Sequence, residues 1–318
     1  MIERILQMKE IKKTFDFYDQ TYFKSYNLDK AIQYQLNLLD SLDIYTRKHC
    51  ENVATITCNL CRKLHLSKGF TEYCTICAYL HDIGKLFIPA SVLQKPEALT
   101  QEEYEIIKKH TTLGYKLCMK DAKLRPYHAG AYYHHEALDG TGYPQGLVKK
   151  DIPFEAQIIR VADEYDALVH KRQYKSHIGI TDSLKIIIEN TKPSPNAPQN
   201  TGFSKSGKNN KKIVKTLLKV VIDDIEYEIS TTIDYVKELN KELDRYKKIE
   251  NLLKKKDTSK KEKDIVYYEQ YIDLLLQPEE TIEDFYKLYQ ELKDACELRK
   301  NILNDLHNEI KNVKKLRV

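Results

Sequence analysis

Apolar residues recur every three or four positions along most of this chain, which is the spacing that places them on one face of an α-helix. The pattern predicts one or two amphipathic helices from Ala31 to Leu64 and another from about Thr71 to His81. Prolines then divide residues 85–155 into short helices and loops. A long helix resumes near Phe154 and continues past Ala167. The chain is therefore predicted to be all-α.

One segment interrupts this pattern. Residues 192–212 have no hydrophobic periodicity and are rich in Pro, Asn, Ser, Gly and Lys, which is typical of a linker or a lid loop. A loop of this length is either functional or a connection, and we favour the connection. The chain is thus predicted to contain an N-terminal helical extension (1–40), a helical domain (41–191), the linker (192–212) and a region of long helices (213–318).

The last region carries two coiled-coil-like faces, in which apolar residues are separated by three and four positions. Such faces pair either with each other in a helical hairpin or with a second copy of the chain in a dimerisation arm, and the pattern fits both equally. The first face contains Ile222, Ile225, Ile229, Thr232, Val236, Leu239, Leu243 and Tyr246. The second contains Phe285, Leu288, Leu292, Ala295, Ile302, Leu306 and Val313.

Composition narrows the class of protein. The hydrophobic fraction of 42% supports a real core, and the seven cysteines are expected to be reduced thiols. No apolar run approaches the roughly 18 residues that a transmembrane helix needs, and the N-terminus lacks the layout of a signal peptide. A cytoplasmic protein without a membrane partner is therefore expected. The net charge of +5 would attract an anionic substrate but is too small to indicate nucleic-acid binding.

Three short segments carry candidate chemistry: HDIGK at 81–85, HHE at 134–136 and DEYDAL at 163–168. Aspartate is almost never buried without a partner, so packing alone does not explain a His-Asp pair at the end of an apolar helix. Imidazole and carboxylate together are ligands for Mn, Fe, Zn, Ni or Co, whereas Mg and Ca prefer oxygen alone. Adjacent ligands can contact two neighbouring ions, with a carboxylate between them. These segments therefore predict a metal site.

The same motifs resemble those of the HD-GYP family, the cyclic-dinucleotide phosphodiesterase branch of the HD metallohydrolases. The resemblance covers roughly Ser41 to Ile188 and includes DGTGYP at 139–144 and RQYK at 172–175. The spacing from His134 to Pro144 is what separates this family from other HD hydrolases. The resemblance implies an HD-type helical bundle, followed in this chain by the coiled-coil-like C-terminal region.

The resemblance also implies a set of metal ligands. Asp82 is the expected bridging carboxylate between two divalent ions, with Fe or Mn favoured over Zn, Ni and Co. Some members hold a third ion through a glutamate at the position of Tyr45, so two ions are expected in this chain. The implied ligands are His49, His81, Asp82, His110, His134, His135 and Asp163.

A mechanism follows from such a centre. Two ions held there would lower the pKa of a bound water and so supply hydroxide at neutral pH for attack on the phosphorus. Asp82 and Lys85 are the expected catalytic residues, since Lys85 is close enough to hold a phosphate or to protonate the leaving group. The resemblance further assigns substrate binding to Lys85, Tyr143, Arg172 and Lys175, which offer cations for phosphate and a ring for a base.

Some positions depart from the family pattern or match no role in it. Ala137 and Gln157 stand where arginines are usual, and Gln173 stands in place of a proline. These changes are expected to affect substrate clamping or partner contacts rather than the metals. His128 and His170 lie near the motifs but correspond to no ligand, and we expect them to be bystanders.

Two cysteine pairs, Cys58 with Cys61 and Cys74 with Cys77, have the spacing of a zinc site. If residues 64–70 form the turn of a helical hairpin, the two pairs face each other. Free cysteine behaves as a small hydrophobic residue, so we favour buried core thiols. A zinc-dependent nucleic-acid binder would also need a concentrated basic face, which these mixed-charge helices do not offer.

The leading hypothesis is hydrolysis of cyclic di-GMP or a related cyclic dinucleotide. Its partners would be a second copy of the chain, through the C-terminal helices, or a signalling protein. One alternative is an HD-type phosphohydrolase of other nucleotides, against which the DGTGYP and RQYK segments weigh. Another is a signalling scaffold that senses a nucleotide without cleaving it, against which the complete ligand set argues.

Overall fold

The structure is a computed structural model that describes residues 29–40, 44–169, 179–193, 207–278 and 280–318. It divides into two compact units, and the boundary between Val220 and Val221 lies inside one 48-residue helix. The first unit also takes in Leu316–Val318, and the second covers Val221–Lys315. The boundary lies beyond residue 213 because the first turns of this helix, with Ile213 and Leu217 fully buried, belong to the first unit.

The first unit is helical, which confirms the predicted all-α class. Within the described residues its β-type pairing is a single bridge between Asp139 and Val148. No helix in the described part of the chain has the length and apolarity needed to cross a membrane. The helices are α1 (Lys30–Asp40), α2 (Ile44–Lys63), α3 (Lys68–Tyr79), α4 (Ala90–Leu93), α5 (Gln101–Lys120), α6 (His128–Tyr133), α7 (Phe154–Val169) and α8 (Ile180–Glu189), with 3-10 turns at Ile83–Phe87 and Arg125–Tyr127.

A local cap sets the start of α3, the second helix of the hairpin predicted around residues 64–70, and a tertiary contact shapes the turn that follows it. Ser67 caps its start, because the serine hydroxyl accepts a hydrogen bond of 3.3 Å from the backbone N–H of Phe70. The helix ends at Tyr79, two positions before the predicted His81. At Gly84 a Cβ atom would overlap the carbonyl oxygen of His110, so only glycine lets the turn after α3 approach the backbone of α5.

The end of the predicted linker is part of the first unit. Residues 194–206 lie outside the described residues, but the backbone carbonyl of Lys208 accepts a hydrogen bond from the N–H of Leu138 (3.0 Å). The N–H of Asn209 donates to the carbonyl of Asn190 (2.9 Å). The long helix α9 (Lys211–Thr258) then begins at once. Backbone groups make both of these hydrogen bonds, and such contacts need no hydrophobic periodicity, which is why the pattern alone favours a linker.

The second unit contains the rest of α9 together with α10 (Glu262–Leu275) and α11 (Ile282–Val313). Residues of both predicted coiled-coil faces share one core, so the faces pack within the chain. Assembly of these helices into a dimer stays a prediction. The buried residues of this core are Leu239, Leu243, Tyr246, Ile249, Leu252, Leu253, Ile272, Phe285, Tyr289, Leu292 and Cys296.

Candidate metal centre

The seven predicted ligands come from five separate stretches of the first unit, and the structure brings them together. His49 lies on α2, His81 and Asp82 follow α3, and His110 lies on α5. His134 and His135 follow α6, and Asp163 lies on α7. The glycine-dependent turn at Gly84 is what places the His-Asp pair beside α5.

The donor atoms form two groups with a carboxylate between them. Those of His110, His134 and His135 lie within 4.8 Å of one another, and so do those of His49, His81 and Asp163.

Asp82 faces both groups. Its Oδ1 lies 3.4 Å from Nε2 of His110, and its Oδ2 lies 3.4 Å from Nε2 of His81 and 3.7 Å from Nε2 of His49. Each oxygen therefore faces a different group, which is the arrangement expected of a carboxylate shared by two cations.

Backbone carbonyls orient three of the histidines. Nδ1 of His81 lies 2.6 Å from the carbonyl oxygen of Ala78, and Nδ1 of His110 lies 2.6 Å from that of Ile107. Nδ1 of His134 contacts a third carbonyl, at 2.8 Å. A carbonyl oxygen only accepts hydrogen bonds, so each Nδ1 carries the proton and each Nε2 presents a lone pair to the interior.

These lone pairs lack partners that would stabilise them. Nε2 of His81 is fully buried and makes no hydrogen bond within the described residues. Nε2 of His110 lies 3.2 Å from Nε2 of His134, so two lone pairs point at each other. Buried polar atoms are rarely left in this state without a functional reason. A cation bound between them would remove the repulsion, and the residues therefore fit a transition-metal site.

The ionisation of the site suits metal binding as well. Burial lowers the pKa of His110 to about 4 and that of His135 to about 3, and it also lowers the pKa of His134. Burial alone would raise the pKa of Asp82, but Lys85 and His81 hold it well below its usual range. At neutral pH these imidazoles are neutral and the aspartate is charged, which are the protonation states that bind metal.

His49 is held differently, between two carboxylates. Its Nδ1 lies 2.7 Å from Oδ2 of Asp166, and its Nε2 lies 3.0 Å from Oδ1 of Asp163. Burial lowers its pKa, but the hydrogen bonds to the two aspartates outweigh this and raise it to about 9. A cation at this position must therefore displace a proton from Nε2, while Asp166 keeps the ring oriented through Nδ1.

The expected catalytic and substrate-binding residues are partly described. Lys85 forms an ion pair with Asp82 inside the site. The ring of Tyr143 stacks on that of His135, with centroids 4.7 Å apart and planes inclined by 27°. Arg172 and Lys175 lie outside the described residues.

Comparison with known proteins decides the family. A family model described as "HD domain" matches residues 33–193, which is half of the chain. The chain belongs to the HD domain family. The match begins at residue 33, within α1, whereas the bounds of the predicted N-terminal extension (1–40) stay a prediction.

Curated relatives of this HD domain are phosphodiesterases by name. A cyclic di-GMP phosphodiesterase of Thermotoga maritima is 35% identical over 187 residues, which cover 57% of this chain and 51% of that protein. Cyclic di-GMP phosphodiesterase PdeB of Borreliella burgdorferi is 35% identical over 193 residues, covering 60% and 45%. The 3'3'-cGAMP-specific phosphodiesterase 3 of Vibrio cholerae is 35% identical over 153 residues, covering 48% and 33%. The chain spans about half the length, or less, of these relatives.

Sequence reasoning missed two side chains at the centre of the HD domain. Asp166 follows Asp163 by three residues on α7, so helical spacing was the available signal for it. Cys50 is fully buried, and its sulfur lies within 4.8 Å of donor atoms of His81 and Asp82. Its position directly after His49 gave no such signal, because consecutive residues on a helix do not share a face.

A third missed residue, Glu136, shapes the DGTGYP loop of the HD domain. Its carboxylate accepts hydrogen bonds from the backbone N–H groups of Gln145 (2.7 Å) and Leu147 (2.8 Å). At Gly142 a Cβ atom would overlap the backbone nitrogen of Ala137. These contacts fold the loop back on the HHE segment and so place Tyr143 against His135.

The remaining residues singled out from the sequence take other positions. Gln157 donates to the carbonyl of Ile152 (3.0 Å) and accepts a hydrogen bond from Asn210 (2.9 Å), so it holds the start of α9. His128 lies with Nδ1 2.9 Å from the carbonyl oxygen of Arg125. Ala137 is buried, whereas Gln173 and His170 lie outside the described residues.

The four cysteines of the CxxC pairs are buried on α2 and α3. Within the described residues, the groups with metal-binding geometry contain none of these four. Burial raises the pKa of Cys58, as it does for Cys74 and Cys77, which keeps these thiols protonated. That they serve only as core residues stays a prediction.

Proposed function

We propose that this chain is a metal-dependent phosphodiesterase that hydrolyses a cyclic dinucleotide, with cyclic di-GMP as the first candidate. The observation that carries the proposal is the Asp82 carboxylate, whose two oxygens face two separate groups of imidazole and carboxylate donors. The names of the curated relatives support the substrate class. The cGAMP-specific relative keeps the identity of the nucleotides open.

Seven residues would hold two divalent ions, with Fe or Mn as the first candidates. His110, His134 and His135 would hold one ion, and His49, His81 and Asp163 the other, with Asp82 shared between them. When bound, such a pair of ions would supply hydroxide at neutral pH and neutralise charge on the phosphoryl oxygens. Tyr45, at the position where some family members have a glutamate, offers no carboxylate, which supports two ions rather than three.

The side chains around the centre have separate tasks in this proposal. Lys85 is paired with Asp82 and stands where it can hold a phosphoryl oxygen or protonate the departing ribose oxygen. Burial of His81, His110 and His134 limits the access of bulk water to this side of the centre. Tyr143 offers a ring beside His135 on which a base can stack. Arg172 and Lys175 remain proposed phosphate ligands by family resemblance.

The test is turnover of cyclic di-GMP, cGAMP and cyclic di-AMP by the full chain, purified without oxygen and supplied with Mn or Fe. We expect Asp82→Ala to lose at least about a thousandfold in turnover and to bind less metal, because a shared ligand is removed. Asp151→Ala, an exposed aspartate on the same unit, is the control and should keep full activity.

Three outcomes would point elsewhere. Full turnover by Asp82→Ala would refute the role of the metal centre. Cleavage of other nucleotides but of no cyclic dinucleotide would favour a different HD phosphohydrolase. Binding without cleavage by metal-loaded protein would favour a signalling scaffold.

A further inference from the structure

Lys108 stands beside the metal centre without belonging to it. It lies on α5, two residues before His110. Its Nζ is 4.9 Å from the ring centroid of Tyr104 and 5.6 Å from that of Tyr143. A lysine ammonium at these distances is attracted to the negative faces of the rings, which hold it in place.

One aromatic ring separates this cation from the centre. The ring of Tyr143 stacks on His135 and meets the ring of His110 edge-on, with centroids 6.5 Å apart. Lys108 lies over this same ring. A ligand that reaches from the His110 group past Tyr143 therefore meets the ammonium of Lys108.

Lys108 is paired with Glu105, and a phosphate can take the place of this glutamate. Its Nζ lies 2.7 Å from a carboxylate oxygen of Glu105, whose side chain is 53% exposed. Exposed ion pairs one turn apart on a helix contribute little, so a phosphate can replace the glutamate. Lys85 differs, since its ammonium is buried against Asp82.

We propose that Lys108 is a specificity residue that binds the second phosphodiester of a cyclic dinucleotide while the metal centre holds the first. The inference rests on the proposed function and adds a residue to it. A cyclic dinucleotide carries two phosphodiesters, and the centre engages only the one that is cut. The other needs a cation at the rim, and Tyr104 and Tyr143 orient the ammonium of Lys108 there.

The test compares Lys108→Met with Lys109→Met in the full, Mn-loaded protein. Lys109 is the adjacent, exposed lysine and is the matched control. For Lys108→Met we expect KM for cyclic di-GMP to rise about tenfold or more, the loss typical of a charged hydrogen bond, with kcat nearly unchanged. Turnover of bis(4-nitrophenyl) phosphate, which has no second phosphate, should stay the same. Lys109→Met should match the wild type, and Lys108→Arg should restore most of the affinity.

Two results would overturn the inference: an equal rise in KM for both lysine variants, or an equal loss by Lys108→Met on both substrates. Calorimetry of cyclic di-GMP binding to the same proteins separates this inference from the proposed function. If the wild type binds without cleaving, the proposed function fails, and the affinity of Lys108→Met still decides the role of the lysine. If the wild type neither binds nor cleaves, both proposals fall.

Discussion

The two units keep polar groups out of water in opposite ways. In the second unit, Arg245 donates two hydrogen bonds to Glu280, at 2.6 and 2.8 Å, and Tyr246 donates a third at 2.7 Å. In the first unit, Nε2 of His81 has no hydrogen-bond partner within the described residues, and Nε2 atoms of two other histidines face each other. A completed polar network stabilises a fold, whereas buried groups without partners need an explanation, and among these histidines a bound cation would supply it.

The largest change in the free energy of unfolding should come from a substitution in the apolar core of the second unit. Phe285 is fully buried and stacks on Tyr246, with centroids 5.3 Å apart. We expect Phe285→Ala to lower the free energy of unfolding by about 3–5 kcal/mol in urea titrations, with metal content unchanged. Leu298→Ala, an exposed residue of α11, is the control and should change little. Loss of metal in Phe285→Ala would contradict the expectation that this apolar core does not affect metal binding.

A substitution of similar size should disturb the metal centre instead. Gly84→Ala would push its Cβ into the carbonyl of His110, so we expect a loss of about 3 kcal/mol in stability together with weaker metal binding. At Gly69 on α3 a Cβ meets nothing within 4 Å, so Gly69→Ala is the matched control. Elemental analysis and urea unfolding measure both effects. Equal behaviour of the two variants would contradict the close approach of the turn to α5.

A smaller change, in metal affinity, should follow from replacing the Asp166 carboxylate that contacts Nδ1 of His49. We expect Asp166→Asn to weaken metal binding by about 10–100-fold, because a neutral amide replaces the carboxylate that holds Nδ1 of His49. Competition with a fluorescent chelator measures the affinity, and Asp151→Asn, which is exposed, serves as the control. An unchanged affinity would mean that the charge of Asp166 does not contribute to metal binding by His49.

The smallest effect concerns pH in the second unit. Burial would raise the pKa of Glu280, but hydrogen bonds from Arg245 and neighbouring donors lower it to about 2, below its usual 4.5. The stabilisation is therefore complete above about pH 4.5 and is lost as the pH falls towards 2. We expect Glu280→Gln to cost about 1–2 kcal/mol at pH 6 and less at pH 3 in urea unfolding. Glu283→Gln, which is exposed, should show no such trend. A cost that does not depend on pH would contradict the role of the charge.

The sequence predicted the helices and the motif residues more securely than their surroundings. Periodicity located α2, α3 and α7, because each buries one face. It extended α3 too far, since the end of that helix depends on contact between Gly84 and a distant helix. Asn209 was assigned to a linker, although its side chain donates to Glu164 (2.6 Å), because polar tertiary contacts have no period.

In the candidate site, too, some residues could be predicted from the sequence and others could not. The histidines and aspartates of the motifs could be named from the chain because their chemistry is unusual in a core. Lys108 could not be named from the chain, since it differs from the many other lysines only through its contact with the ring of Tyr143 in the folded structure.

We propose that two metal ions complete the set of buried donors in the first unit. The direct measurement is the metal content of the full chain after anaerobic purification, followed by chelation and stepwise addition of Mn while cyclic di-GMP turnover is recorded. We predict two transition-metal ions per chain, loss of turnover in the metal-free protein, and recovery that saturates at two equivalents of Mn. Undiminished turnover by metal-free protein, or a chain that takes up no transition metal, would contradict the account.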